Sequence, residues 1–371
     1  MKIVQLVQTL DIGGLERLAI DLALRQKIDG DEPSLYCTLH SGLLARQAEA
    51  AGIPVHVFGK TDGFSPRLIS QLVRRLREDR PDVLHTHNAL VLHYGIAAAR
   101  LARVPVVVNT QHSSNLDADP KLEWLWSRMA RRAHAVVFMS ERTRDHFLGR
   151  SGISQRNARV IYNGIDLENF TGRPLLPGND PAHFRFGTVG RLWPVKNHVA
   201  LTQAFAIVSK ELPGSELHIL GEGPCRPHIE QVAASLGIAN RVILHGAGLD
   251  VAGFLSKLDL FVLSSLHEGM PIALIEAMAA GLPIASVRLA GLPEVAPENE
   301  VAWYCPSGQP DVLAELMLKM ARRSDLATIG ETARQVARKF GIQETWRQYR
   351  ELFEELSPQK QHLLRPKALG V

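Results

Sequence analysis

The sequence predicts an α/β chain of two doubly wound, parallel-sheet domains, and three observations carry that expectation. Short apolar runs rich in Val, Ile and Leu alternate with helical patterns along most of the chain. Strands that are continuously apolar belong to parallel sheets covered by helices on both faces. The length, 371 residues, exceeds what one hydrophobic core usually supports. Finally, residues 171–181 are crowded with Pro and Gly and lack apolar periodicity, which reads as a linker. The expected division is an N-terminal domain over 1–170, a linker over 171–183, a C-terminal domain over 184–341, a last helix over 342–358 and a basic tail over 359–371.

Taken in order, the first half offers strands at 2–8, 34–39, 54–58, 82–85, 105–110, 135–139 and 159–162. After the first, Gly13-Gly14-Leu15-Glu16-Arg17 leads straight into a helix; glycines there let backbone approach a ligand, and a helix N-terminus favours an anion, although a simple tight turn reads equally well. Between the third and fourth strands, Arg67, Arg74, Arg75, Arg77 and Arg80 share a helical pattern with Leu68, Leu72, Val73 and Leu76. Such a basic amphipathic helix is either a solvated face covering a sheet or a contact with an anionic membrane surface. The second half repeats the scheme with strands at 184–190, 215–220, 241–245, 259–263, 283–287 and 301–304. A buried helix is expected over 271–280, with Pro271 in its first turn and Gly281 just past its end. The last helix, about 343–356, gathers Trp346, Tyr349, Leu352 and Phe353 on one face and must dock on something.

Composition narrows the class. Apolar residues make up 46% of the chain, which excludes disorder. The three cysteines, Cys37, Cys225 and Cys305, are widely spaced and unaccompanied by histidines at ligand spacing, so neither a disulfide framework nor a zinc site is expected and a reducing compartment fits. The opening Lys2-Ile3-Val4-Gln5-Leu6-Val7 reads as a strand rather than a signal peptide, and the most apolar stretch, 270–287, carries Glu276, two prolines and two glycines, a poor bilayer span. The net charge of +4 is concentrated: residues 60–160 hold 17 Lys and Arg against 9 Asp and Glu. That basic stretch lacks the aromatic interleaving of a single-stranded nucleic-acid binder.

In open parallel sheets, ligands bind beyond the carboxyl ends of the strands, so two such domains facing each other would enclose a cleft. Glu268 and Glu276 bracket the 271–280 helix. Apolar residues cover most of its circumference, so Glu276 is expected inside, where an unpartnered carboxylate would be strongly penalised. A fixed donor or a ligand hydroxyl pair must meet it. After the first strand of the second half stands Gly190-Arg191-Leu192-Trp193-Pro194-Val195-Lys196, in which Arg191 and Lys196 are placed to neutralise a diphosphate. The free N–H groups of the 271–280 helix, around Met270 and Ile272, would complete that anion site. His85-Thr86-His87-Asn88 and Asn109-Thr110-Gln111-His112 are read as loops following strands; hydrogen bonding suits His87 better than zinc, and His112 suits contact with a reacting sugar. Asp-x-Asp at Asp29-Asp31 and Asp117-Asp119 does not end a strand, so no metal site is assigned. Gly221-Glu222-Gly223-Pro224 lacks the third glycine of a dinucleotide fingerprint, which argues against NAD.

Together, Glu268 to Glu276 as an E-x7-E motif, Gly190-Arg191 with Lys196, Gly221-Glu222-Gly223-Pro224, Tyr162-Asn163-Gly164-Ile165-Asp166 and Gly13-Gly14 resemble the retaining glycosyltransferases of family 4, over about residues 1–355. The resemblance implies a GT-B architecture, two Rossmann-like domains facing across a cleft. It implies transfer of a sugar from a UDP- or GDP-linked donor to a glycan or lipid-linked glycan, with retention of configuration and neither metal nor cofactor, as in bacterial polysaccharide, lipopolysaccharide or exopolysaccharide assembly. By the same resemblance, Glu276 holds the donor ribose, Glu268 the donor sugar, Arg191 and Lys196 the diphosphate, and His112 lies near the transferred sugar. Gly13, Gly14, Gly246, Gly269, Met270, Pro271 and Ile272 complete the donor contacts, and Glu16, His87, Asn88 and His112 face the acceptor. The last helix would cross back onto the first domain. Where the family commonly has two glycines before Pro-Glu, this chain has Ala290-Gly291-Leu292-Pro293-Glu294, and Asn197 replaces a frequent glycine. The expected location is cytoplasmic, in peripheral contact with the anionic inner face of the membrane through 60–160. Two other classes share these features: a nucleotide-sugar epimerase, which needs no acceptor, and a non-catalytic sugar- or nucleic-acid-binding protein.

Overall fold

The structure, a computed structural model, describes residues 1–11, 13–61, 63–112, 120–170, 183–248, 250–289, 291–306 and 308–357. It divides into two units, Met1–Gly164 with Ile342–Val371, and Ile165–Gly341. The division falls ahead of residue 170, where the sequence suggests it, because Ile165 already pairs in the second unit, its N–H donating to the Phe340 carbonyl at 2.9 Å. Residues 171–182 of the expected linker and the basic tail lie outside the described residues.

The first unit runs β1 (Lys2–Val7), α1 (Gly14–Ile28), β2 (Glu32–Cys37), α2 (Ala45–Ala50), β3 (Val55–Val57), α3 (Pro66–Asp79), β4 (Val83–His87), α4 (Ala89–Ala102), β5 (Val106–Gln111), α5 (Pro120–Ala130), β6 (Ala135–Phe138), α6 (Glu141–Ser151) and β7 (Ala158–Val160). Its seven strands are ordered β3-β2-β1-β4-β5-β6-β7 and all pair in parallel. Period-two alternation sends Val4 and Leu6 to a core with Leu68, Leu72, Leu92 and Trp126, and Val7 to a second core with Ile20, Ala23 and Leu35. Helix α3 buries Leu68, Leu72 and Leu76 and is capped by Ser65, whose hydroxyl accepts from the Leu68 N–H. Its basic face is partly self-neutralised, since Arg75 pairs with Asp79 at 2.7 Å and Arg74 with Glu78 at 3.6 Å.

The second unit runs β8 (Arg185–Val189), α7 (His198–Glu211), β9 (Glu216–Leu220), α8 (Arg226–Ser235), β10 (Val242–Leu244), α9 (Val251–Leu255), β11 (Leu260–Leu263), α10 (Ile272–Ala279), β12 (Ile284–Val287), α11 (Leu292–Val295), β13 (Ala302–Cys305), α12 (Pro310–Ala321) and α13 (Leu326–Ala337). Its six parallel strands are ordered β10-β9-β8-β11-β12-β13. In both units the order turns back beside the first strand, at β1/β4 and at β8/β11. These are the switch points where open α/β sheets bind ligands. Helix α10 stops at Gly281, whose φ of +80° suits glycine; there α13 crosses so closely that a Cβ on Gly330 would strike the Gly281 carbonyl.

Chain order ends with α14 (Ile342–Leu356), which belongs to the first unit and buries Trp346, Tyr349, Leu352 and Phe353. It covers the sheet face that carries Gln5 and His85: Tyr349 and Phe353 meet the His85 ring at centroid distances of 4.8 and 5.7 Å. Among the described residues no helix is long and apolar enough to cross a membrane. The cysteines are free thiols.

Candidate active site

Each unit brings its candidates to the carboxyl end of its own sheet. In the second unit the turn after β8 and the turn after β11 are stitched together: the Leu266 N–H donates to the Val195 carbonyl at 2.8 Å, and Ser264 Oγ to the Lys196 carbonyl at 2.9 Å. Across that join, Lys196 Nζ donates to Glu268 Oε1 at 2.6 Å, and Ser265 Oγ donates to the same oxygen at 2.6 Å. The Glu268 side chain is 10% exposed and that of Lys196 22%, so the pair is largely sheltered and each charge holds the other in place. Ser265 escaped the sequence reading; a serine beside a strand end gives no periodic signal.

Arg191, in the same turn, is exposed, with its guanidinium 5.8 Å from the centre of the Trp193 ring. Asn197 adopts φ +55° before α7, which explains why a glycine fits that position and why asparagine is tolerated there. The glycines 221 and 223 serve backbone packing rather than a dinucleotide. A Cβ on Gly221 would fall on the Gly190 carbonyl oxygen, and one on Gly223 would lie 2.7 Å from the Leu192 carbonyl. Hydrogen bonds from Leu192 N–H to Glu222 O and from Gly221 N–H to Gly246 O, each 2.9 Å, tie the ends of β8, β9 and β10 together. Gly246 therefore sits where its backbone supports the Arg191 turn.

Helix α10 corrects two expectations. Pro271 caps the helix instead of opening it, φ −72° and ψ 114° being extended. Glu276 is half-buried, not internal: with Ala273 it forms the one stripe, three residues apart, that the apolar residues leave uncovered. Gly269 is half-buried, and Met270, Pro271 and Ile272 are buried at the head of the helix. Gly291 has φ +85°, while Ala290 lies outside the described residues.

In the first unit the polar segments are strand, not loop. Strand β4 continues through His87 and β5 through Gln111, because their polar side chains satisfy one another inside the sheet face. His85 Nε2 lies 2.6 Å from Thr110 Oγ1, which meets Tyr349 OH at 2.8 Å; His87 Nε2 lies 2.7 Å from Gln5 Oε1, and His87 Nδ1 lies 2.9 Å from His112 Nε2. His112, one residue past β5, is half-buried and its N–H donates to Asn88 Oδ1 at 2.9 Å. Desolvation holds all three imidazoles neutral, pushing His85 and His112 down to about 3 and His87 well below its usual range. Gln5 and Tyr349 were missed; a glutamine inside Ile3-Val4-Gln5-Leu6-Val7 was the available signal.

Gly13 caps α1, and Glu16, in its first turn, folds its carboxylate over the place a Gly13 Cβ would occupy. Any residue can adopt the extended backbone of Gly13, and Glu16 lends negative charge to that helix end. Asp31 binds the N-terminal ammonium at 2.6 Å and Asp29 binds Arg25 at 2.7 Å; Asp117 and Asp119 lie outside the described residues.

Known proteins fit this arrangement. A family model described as Glycosyltransferase Family 4 matches residues 12–169, and one described as Glycosyl transferases group 1 matches residues 183–323. The chain is 30% identical to UDP-Gal:alpha-D-GlcNAc-diphosphoundecaprenol alpha-1,3-galactosyltransferase of Escherichia coli over 57% of its own length and 59% of that protein's, so the match spans about three fifths of this relative. It is 25% identical to N-acetyl-alpha-D-glucosaminyl L-malate synthase of Bacillus anthracis over 78% of each. The crystal structure of Anabaena HepE in complex with UDP-glucose superposes with a TM-score of 0.83 at 23% identity, covering 96% of this chain and 100% of that one, a likeness of GT-B fold. With family models on both units and their sheets in GT-B order, the chain belongs to the group 1 glycosyltransferases.

Proposed function

We propose that the protein transfers a sugar from a nucleotide-diphosphate sugar to a hydroxyl of a glycan or lipid-linked glycan, with retention of configuration. The Lys196–Glu268–Ser265 group at the β8/β11 switch point carries this reading, because it sets a fixed cation beside a carboxylate where an α/β sheet receives its ligand. Lys196, Arg191 and the head of α10 neutralise the diphosphate in place of a metal ion, Glu268 receives hydroxyls of the donor sugar, and Glu276 the ribose. The bond from C1 to the diphosphate oxygen breaks, C1 bonds the acceptor oxygen on the same face, and the acceptor proton leaves with the diphosphate. His112 contacts the sugar being transferred, and the first unit selects the acceptor. The Escherichia coli relative, whose name gives a UDP-linked donor and a diphosphoundecaprenol acceptor, favours a UDP-linked donor and a lipid-linked acceptor here, and the UDP-glucose complex of HepE fits the donor.

Exposed Phe64 and Trp124, 75% and 64% accessible, lie on the basic 60–160 stretch and supply the apolar part of a peripheral membrane contact from the cytoplasmic side.

A thermal-shift panel of UDP-, GDP- and ADP-sugars tests the reading. One class should raise the melting temperature, and Glu276→Ala should abolish most of that rise. Failure of all three to shift it overturns the donor site. Nucleotide release that ignores acceptor would point to epimerisation instead.

A further inference from the structure

We propose that Gln5 and His87 are positioning residues that fix the tautomer of His112, so that its Nδ1 carries a bare lone pair for a hydroxyl donor. An amide oxygen accepts hydrogen bonds and never donates them. Gln5, fully buried at the centre of β1, sets its Oε1 2.7 Å from His87 Nε2. His87 Nε2 therefore carries hydrogen. A neutral imidazole has one N–H, so His87 Nδ1 is bare and must accept. The atom facing it, at 2.9 Å, is His112 Nε2, which accordingly holds the single hydrogen of His112. The proton order is then set along the whole row, from β1 through the end of β4 to the end of β5.

The row cannot readily rearrange. The His85 ring packs 4.3 Å from the His87 ring, centre to centre, and is itself held by Thr110, whose hydroxyl meets Tyr349 of α14. On the other side the His112 backbone is pinned by Asn88, which caps α4 with φ +69°. Burial keeps the imidazoles neutral, so each carries a single N–H. A bare Nδ1 welcomes an O–H or N–H and rejects a phosphate or carbonyl oxygen, so the ligand group meeting His112 is a hydrogen-bond donor, a hydroxyl where the ligand is a plain sugar. That hydroxyl belongs to a sugar only if the proposed glycosyl transfer holds; the proton order does not depend on it.

The full chain carrying ring-15N histidine, free of sugar and acceptor at pH 7, gives the test by long-range proton–nitrogen correlation, assigned with His87→Asn and His112→Asn. The expected result is protonated Nε2 and unprotonated Nδ1 on both His87 and His112. Protonated Nδ1 on His112, as a reversed Gln5 amide would produce, overturns the proposal. In a folded Gln5→Leu variant, His112 should show mixed tautomers, and kcat should fall by about tenfold, about the worth of one hydrogen bond, with donor KM within about twofold. A single unchanged His112 tautomer in that variant removes Gln5 from the role. Because the spectrum is read without substrates, its outcome is separate from that of the transfer reaction.

Discussion

At the scale of single residues, the same groups that suit a donor site also answer to the folded state. Glu268 is 10% exposed and takes two donors on one oxygen, Lys196 Nζ and Ser265 Oγ. Removing the cation leaves a sheltered carboxylate with one neutral partner, so Lys196→Met should cost about 1–3 kcal/mol, the penalty for an under-satisfied buried polar group. Neutralising the orphan as well, in Lys196→Met with Glu268→Gln, should recover at least half of that loss while leaving donor affinity low. Urea unfolding of the two variants, beside nucleotide-sugar titration, separates the effects. If the double variant were no more stable than the single one, the pair would not be coupled. Glu276, half-buried, lies with Ala273 on the stripe of α10 that the apolar residues leave uncovered.

Elements tell how much of this was legible beforehand. Among the described residues all thirteen strands fall where apolar runs predict them, because a parallel sheet covered on both faces leaves an unbroken hydrophobic record. The reading failed where polar residues are buried in company. Strand β4 keeps pairing through His87 and β5 through Gln111, since Gln5, Thr110 and Tyr349 supply partners from other elements, and no local pattern announces a partner far along the chain. Glu276 was misjudged for the converse reason: apolar neighbours on most sides still leave one stripe open. Glycines divide the same way. Gly221 has the Gly190 carbonyl where a Cβ would go, while Gly149, exposed in α6, has nothing within 4 Å. Gly221→Ala should therefore destabilise by about 2 kcal/mol, pushing the β8 and β9 turns apart, and should blunt the donor-induced thermal shift. Gly149→Ala should gain about 0.5–1 kcal/mol from the stiffer helix. Calorimetry on both decides; equal effects would mean that the close turn packing carries no special cost.

At the scale of the molecule, the buried histidines make acid the condition under which the two units should part company. A histidine whose folded pKa lies below its unfolded value binds fewer protons folded than unfolded throughout that interval, so stability falls as pH drops. For His85 and His112 the window opens near 6.5 and extends to about 3, and for His87 it runs in the same direction. Each group contributes at most about 1.4 kcal/mol per pH unit inside its window, less for His112, which is half-buried. His56 and His93, half-buried in the same unit, and the more exposed His134 are pushed the same way by desolvation. Glu344 on α14, held down to about 2 by Arg347, adds a loss below its ordinary value of 4.5. In the second unit His198, at about 4, and the less sheltered His218 and His245, pushed down chiefly by desolvation, also favour acid unfolding, but Asp259 opposes them: burial raises its carboxyl, so the folded form takes up a proton first and gains as pH falls. Stability should thus be steady above pH 7 and decline steeply between about 6 and 4, with the first unit melting earlier. Hydrogen exchange across that range reads the units separately, and β4 and β5 should lose protection before β8 and β11. His85→Gln, which keeps a polar partner for Thr110 but cannot take up a proton, should flatten the decline by about one histidine's share. Parallel loss of protection in both units, or an unchanged slope in that variant, would place the acid sensitivity elsewhere than in the row of imidazoles beneath α14.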